Sequence, residues 1–253
     1  MMAHRIAFAG AALLALAACS KPVDPGYQGW VEADLIFVSP DEAGRVETLS
    51  VREGDAVEKG APLFTVDPDL QQSDVEMAKA SVTNATQAYE RAQTLLKTSA
   101  GTQKTVEDAE AALRTAQARL ASAQTRLARR KAASPVTGSV QQIYYRPGEL
   151  VPAGRPVVSL LPPGNIKIRF FVPETVLPSV ALGEAVTIHC DGCKTDVTAK
   201  VTFISRTSEF TPPVIYSLDE RSKLVFLIEA RTDTPGELRV GQPADVRFAE
   251  LRK

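Results

Sequence analysis

Histidine is almost missing from this chain: of 253 residues only two are histidine, beside three cysteines, three methionines and one tryptophan. His4 falls in an N-terminal segment expected to be removed, so His189 alone would remain. A histidine-based triad or a multi-histidine metal centre then has almost nothing to use. No recognisable carboxylate pair takes its place, so neither an enzyme nor a bound cofactor is expected. An excess of positive charge is missing as well, with 29 Lys and Arg against 30 Asp and Glu and a net charge of -1. That removes the electrostatic footprint of a nucleic-acid binder. The apolar run Ile6–Ala18 is too short to remain as a spanning helix.

That run follows Arg5 and ends in Leu16-Ala17-Ala18-Cys19, which resembles a bacterial lipobox. Residues 1–18 read as a signal peptide, Cys19 as the lipidated first residue, and 19–34 as a tether, flexible from Ser20 to Gly29. At about 0.8 kcal/mol per buried methylene, several acyl chains hold a protein on a bilayer without a transmembrane helix. The alternative is an ordinary signal peptide with Cys19 as a bystander. Lipidation would leave Cys190 and Cys193 as a pair in an oxidising compartment, where a local disulfide is the default. Asp191-Gly192 is a favoured two-residue turn that would bring the two thiols together. A redox pair, or a metal site with His189, are the other readings.

What the sequence does contain is a repeat. Gly44, Val46, Leu49, Gly54, Val57, Gly60, Leu63 and Val66 match Gly138, Val140, Ile143, Gly148, Val151, Gly154, Val157 and Leu160 at a constant offset of 94. Glycines and apolar residues in common register are expected of two copies of one supersecondary unit. Each copy reads as short strands joined by tight turns at its glycines, and the two together as one small β-sandwich. Val51–Leu63 and Gly148–Val157 resemble the half-motifs of lipoyl and biotinyl domains. A carrier would present its lysine on a short exposed hairpin between the halves. Here Met77-Ala78-Lys79, the nearest such triplet, falls within a helical pattern.

The halves are separated by 69–131, rich in Ala, Gln, Glu, Lys and Arg, with no proline and Gly101 as its one glycine. Val75, Ala78, Val82, Ala85, Tyr89, Ala92 and Leu96 recur in steps of three and four. Val106, Ala109, Leu113, Ala116, Leu120, Ala123 and Leu127 do the same. Two heptad seams predict an antiparallel coiled-coil hairpin turning near 99–102, each arm about 45 Å long. From Asn165 the pattern alternates: Ile166, Ile168, Phe170 and Val172 share a face, and Val186–His189, Val197–Ile204, Leu224–Ala230 and Ala244–Phe248 are further strand candidates. An echo between Gly183-Glu184-Ala185-Val186 and Gly241-Gln242-Pro243-Ala244 suggests a β-barrel.

The expected class is therefore mainly β with a long antiparallel helical hairpin. A lipoyl-like sandwich (35–68 and 132–162) is split by the hairpin (69–131) and followed by a β-barrel domain (163–253). In this layout the chain resembles the HlyD-type membrane fusion proteins. The resemblance implies a periplasmic adaptor, lipid-anchored with the inner membrane favoured, linking an inner-membrane exporter to a TolC-like outer-membrane channel for efflux or secretion. It implies self-association into a ring, a hexamer or a trimer of dimers, with the barrel helping to pack protomers. It also implies channel contact at the hairpin tip through Arg91, Leu95 and Thr102, where Thr102 replaces the family's serine. The alternative for those three is a solvated Arg91, a Leu95 that widens the seam, and a Thr102 that caps the second helix. The end of the chain at Lys253 and the stretch Glu209–Ser217 resemble short adaptors paired with ABC-type exporters, a proton-driven pump being the other possibility. The competing function is a structural envelope lipoprotein whose coiled coil acts as a spacer.

Overall fold

The computed structural model describes residues 26–191, 193, 195–210, 224–232 and 238–248. Residues 1–18, Cys19 and most of the stretch Glu209–Ser217 lie outside the described residues. The chain divides into two compact units, Asp34–Asn165 and the segments up to Ala33 and from Ile166 onward. It is mainly β, with one pair of long helices.

In the first unit the repeat becomes a pseudo-two-fold. The first copy supplies β2 (Ile36–Val38), β3 (Gly44–Leu49), β4 (Ala56–Val57) and β5 (Pro62–Val66). After the helices come β6 (Lys131–Ala133), β7 (Gly138–Ile143), β8 (Leu150–Val151) and β9 (Val158–Leu161). Two four-stranded sheets result, ordered β2-β9-β7-β4 and β6-β5-β3-β8. Each sheet takes two strands from each copy. Gly44 pairs with Val151 while Val57 pairs with Gly138, the same contact seen from the two halves. Gly54 N–H donates to the Val140 carbonyl and Gly148 N–H to the Val46 carbonyl, both at 2.8 Å. Val46, Val57, Leu63 and Val66, with their partners Val140, Val151, Val157 and Leu160, are buried in one core with Phe64 and Val158. At roughly 1.5–3 kcal/mol for each fully buried side chain of this size, the repeated apolar positions are the main favourable term in the unit.

The repeated glycines serve two ends. Gly54 and Gly148 hold φ of 91° and 95° in the turns before β4 and β8, a region that side chains resist. Gly60 and Gly154 are likewise at positive φ. Gly44 and Gly138, expected in turns, instead open strands β3 and β7. Their lack of a side chain answers close packing: a Cβ at Gly44 would run into Val66 and the Arg130 guanidinium, and one at Gly138 into the Leu161 carbonyl.

Between the copies stand α1 (Asp69–Lys97) and α2 (Gln103–Ala128). Every residue of both heptad seams is buried or half-buried, and Val75, Ala92, Val106, Ala116 and Ala123 are the most enclosed. The inserted segment was expected to run to Lys131, but that residue already pairs with Thr65 in the sheet. At the turn, Ser99 adopts φ 57°. Ser99 N–H donates to the Leu96 carbonyl and Ala100 N–H to the Leu95 carbonyl, the hydrogen bonds of a Schellman stop.

In the second unit β1 (Tyr27–Ala33), β10 (Ile166–Pro173), β11 (Ala185–His189), β12 (Val197–Phe210), β13 (Leu224–Arg231) and β14 (Pro243–Phe248) close a barrel. Its order is β1-β10-β13-β12-β11-β14 and every neighbouring pair is antiparallel. Ile166, Ile168, Phe170 and Val172 fill the interior, as their alternation predicts. One boundary differs from the sequence reading. Residues 27–33, expected in the tether, form β1 and pair with both β10 and β14. Val31 is buried and Gly29 sits against the backbone at Arg169, so this short segment is held by ladder hydrogen bonds more than by a long apolar pattern. The echo also has a structural counterpart. Gly183 N–H donates to Val201 and Gly241 N–H to Val31, both at 2.8 Å, and the Glu184 and Gln242 side chains accept from Ala181 and Arg239 N–H.

Gly54→Ala and Gly148→Ala each force a Cβ into positive φ and are expected to cost the same, about 1–2 kcal/mol. Urea unfolding of the two variants checks this, and clearly unequal losses would contradict the equivalence of the halves.

Candidate docking site on the helical hairpin

Heptad packing consumes one face of each helix and leaves the others in water. The first turn of α1 begins after Pro68, where Asp69 N–H donates to Asp67 Oδ1 at 3.0 Å. At the other end of the hairpin Thr102 is the N-cap of α2, in extended geometry, and its hydroxyl accepts from Thr105 N–H at 3.2 Å. It also lies 2.7 Å from the Thr105 hydroxyl. Thr102 is therefore a helix cap, still exposed at the tip. Arg91 and Leu95 are exposed one turn apart on α1, and no ion pair is formed by Arg91 among the described residues.

Leu95 is not alone. The large apolar side chains left exposed on the two helices are Leu70 (69%), Met77 (63%) and Leu95 (48%), all on α1. Seven residues separate the first two and eighteen, five full turns at about 3.6 residues each, separate the last two. Each sits one position before an enclosed residue, Gln71, Ala78 and Leu96. The three lie on one outer face, with the polar Ser81, Asn84 and Arg91 between Met77 and Leu95. Leu95 alone of the three is a contact implied by the family resemblance; Leu70 and Met77 share its face at helical spacing. Met77-Ala78-Lys79 lies inside α1 with Lys79 held by Glu76 at 2.8 Å, so no lysine is presented on a turn there.

Charge on the hairpin varies with height. Near the root α1 carries Asp69, Asp74 and Glu76 while α2 ends with Arg119, Arg126 and Arg129. Near the tip the balance reverses, with Arg91 and Lys97 against Glu90 on α1 and Glu107, Asp108 and Glu110 against Lys104 on α2. The ion pairs within the hairpin all join residues of one helix: Glu76–Lys79, Lys104–Asp108 and Glu110–Arg114. The outer face of α2 is small, with exposed Ala111, Ala118 and Ser122.

The remaining sequence candidates are in the barrel. Cys190 and Cys193 are joined as a disulfide with Cα atoms 5.4 Å apart, and Cys190 is buried. His189 Nδ1 lies 2.8 Å from Asp196 Oδ1. Among the described residues no group of three or more His, Cys, Asp or Glu could hold a metal ion. Among them, too, no helix is long and apolar enough to cross a membrane.

Comparison with known proteins gives a consistent picture. The family model of the RND MFP barrel-sandwich hybrid domain, MFP standing for membrane fusion protein, matches residues 35–161. An uncharacterised protein of Haemophilus influenzae is 25% identical over 178 residues, 70% of this chain and 45% of that protein. A UPF0194 membrane protein of Acidithiobacillus ferridurans is 32% identical over 117 residues, 46% of this chain and 35% of its own. The chain thus spans less than half the length of these curated relatives. Among solved structures, a MacA-MexA chimera carrying the Pseudomonas aeruginosa MexA α-hairpin has a TM-score of 0.74 at 21% identity, covering 89% of this chain and 82% of the chimera. The membrane fusion protein Spr0693 of Streptococcus pneumoniae has a TM-score of 0.70 at 18% identity, covering 89% and 98%. At these identities the structures speak for the fold.

Thr102→Ala removes the cap of α2 and is expected to lower stability by about 1 kcal/mol, with faster amide exchange at Thr105. Unchanged exchange there would show that the cap is not used in solution.

Proposed function

We propose a function from one premise: the chain belongs to the membrane fusion proteins that carry the RND-type barrel-sandwich hybrid domain. On that premise it is a periplasmic adaptor that links an inner-membrane exporter to a TolC-like outer-membrane channel, and it makes and breaks no bonds itself. Residues 35–68 and 132–162 act as its lipoyl-like domain, 69–131 as its reach, and β1 with 163–253 as its β-barrel domain. Cys19 carries the lipid that keeps it on the membrane, with the inner membrane as its place.

The observation that carries this reading is the hairpin itself. Two helices of 29 and 26 residues bury little beyond their mutual seam, yet keep Leu95 exposed one turn from Arg91 at the far end. An apolar side chain left about half in water there adds less to the fold than a buried one, and it is useful for contact with a second protein. Arg91, Leu95 and the exposed Thr102 make up the channel-facing tip. A spacer lipoprotein needs the length of the arm and has no use for this end.

Self-association into a ring is supported by the sides of the hairpin. With hairpins parallel, α1 of one copy meets α2 of the next, acidic root against basic root and basic tip against acidic tip. The large residues Leu70 and Met77 then face the small residues of α2. A ring needs such a heterologous contact between two different faces of one chain. The energy comes from the exporter, either an RND system, as the family description reads, or an ABC system, as the stretch Glu209–Ser217 suggests. The Cys190–Cys193 disulfide fastens a barrel loop in this oxidising compartment.

Leu95→Asp is expected to lower export on the order of tenfold or more, since tenfold corresponds to only about 1.4 kcal/mol of lost contact. Helix content and thermal unfolding should stay as in the wild type. Full export by a correctly localised Leu95→Asp protein would contradict the tip assignment. Purification from cross-linked membranes should bring down a channel subunit and a transporter, and recovery of neither would favour the spacer.

A further inference from the structure

The hairpin magnifies whatever happens at its root. An arm of 29 residues is about 43 Å long, so a swing of roughly 10° moves its end by about 7.5 Å, more than the roughly 5.4 Å pitch of a helix. Its direction has to be fixed where it leaves the sandwich. The chain enters α1 through Asp67 and Pro68 and leaves α2 through Arg129 and Arg130, and Val66 N–H donates to the Arg130 carbonyl at 2.9 Å. Two neighbouring points of attachment define an axis about which a rod can pivot. Only a third contact, off that axis, locks it.

The third contact is one carboxylate. Glu42 lies in the loop between β2 and β3, and its Oε2 accepts from Gln71 Nε2 of α1 at 2.9 Å and from Arg130 Nη2, after α2, at 3.2 Å. Arg130 Nη1 also donates to the Ala43 carbonyl at 3.1 Å. Gln71 and Arg130 are 5% and 8% exposed, while the Glu42 side chain that joins them is 43% exposed, so its two partners are shielded and the carboxylate still meets water. The neighbouring Asp41–Arg129 pair, at 3.0 Å, is mostly in solvent and contributes little.

The repeat supplies a second, independent observation. The positions related to Asp41 and Glu42 by the offset of 94 are Pro135 and Val136. Acidic residues stand where the helices attach, and a proline and a valine stand at the two related positions. Gly44 completes the arrangement, since a side chain there would occupy the space of the Arg130 guanidinium. The node is held without being sealed. Among the described residues Gln71 Oε1 and Arg130 Nε have no hydrogen-bond partner, and a cavity of about 40 Å³ lined by Pro40, Asp41, Glu42, Arg126, Arg129 and Arg130 lies beside it.

We infer that Glu42 is the positioning residue that sets the direction of the hairpin: with its carboxylate the arm is a rigid lever, and without it the arm pivots about its two chain links while sandwich and coiled coil stay folded. This holds whatever the tip contacts, so it stands apart from the adaptor reading.

The test is an electron–electron distance measurement on the full chain, with nitroxides attached through p-acetylphenylalanine in place of Lys97 at the tip and Gln141 in the sandwich, which leaves Cys190 and Cys193 bonded. The wild type should give one narrow distribution. Glu42→Ala should at least double its width with helix content unchanged, and Asp41→Ala should leave it narrow. A folded Glu42→Ala protein as narrow as the wild type would overturn the inference. If Glu42→Ala does not fold, Gln71→Leu cuts the α1 branch alone and should broaden the distribution in the same way; wild-type width in that variant would overturn it equally.

Discussion

The strands Ala56–Val57 and Leu150–Val151 are two residues long, and each pairs with a strand of the other copy of the repeat. Neither copy can complete a sheet alone. The valine of each short strand, Val57 or Val151, is buried in the shared core, so the two halves close together or not at all. This constraint governs the inserted segment. Whatever joins the halves has to leave the sandwich and return to it at neighbouring points, which an antiparallel pair of helices does and a single helix cannot. The backbone hydrogen bond from Val66 to Arg130 marks how near those points are.

Much of this was legible because repeats and heptads are patterns over many residues. The eight matched positions placed the core, since each apolar pair fills an equivalent site about the pseudo-two-fold. The seams placed the helical faces, because 3.5-residue spacing and an absence of proline leave the backbone little choice. What was not legible depends on contacts between distant segments. Gly44 and Gly138 look like turn glycines beside Gly54 and Gly148, and only packing tells them apart: the first pair yields space to Val66, Arg130 and the Leu161 backbone. Strand β1 has a glycine at its centre and few apolar residues, and it becomes a strand because β10 and β14 offer it two rows of hydrogen-bonding partners.

The same division runs through the candidate site. Arg91, Leu95 and Thr102 are implied by the family resemblance, and the structure adds that Thr102 spends its hydroxyl on capping α2. Leu70 and Met77 fall outside both heptad seams. Their exposure shows them to belong to a different face. Glu42, Gln71 and Arg130 were out of reach altogether, since they come from three segments that meet only when the halves have closed.

The account rests on the tip of the hairpin meeting another protein. A benzoylphenylalanine placed at position 95 of the full chain and irradiated in growing cells reports directly on what lies against it. The account predicts an adduct with an outer-membrane channel subunit and none from a control position on the sandwich such as 141. Adducts confined to other copies of this chain, or no adduct from position 95 in an export-competent cell, would contradict it.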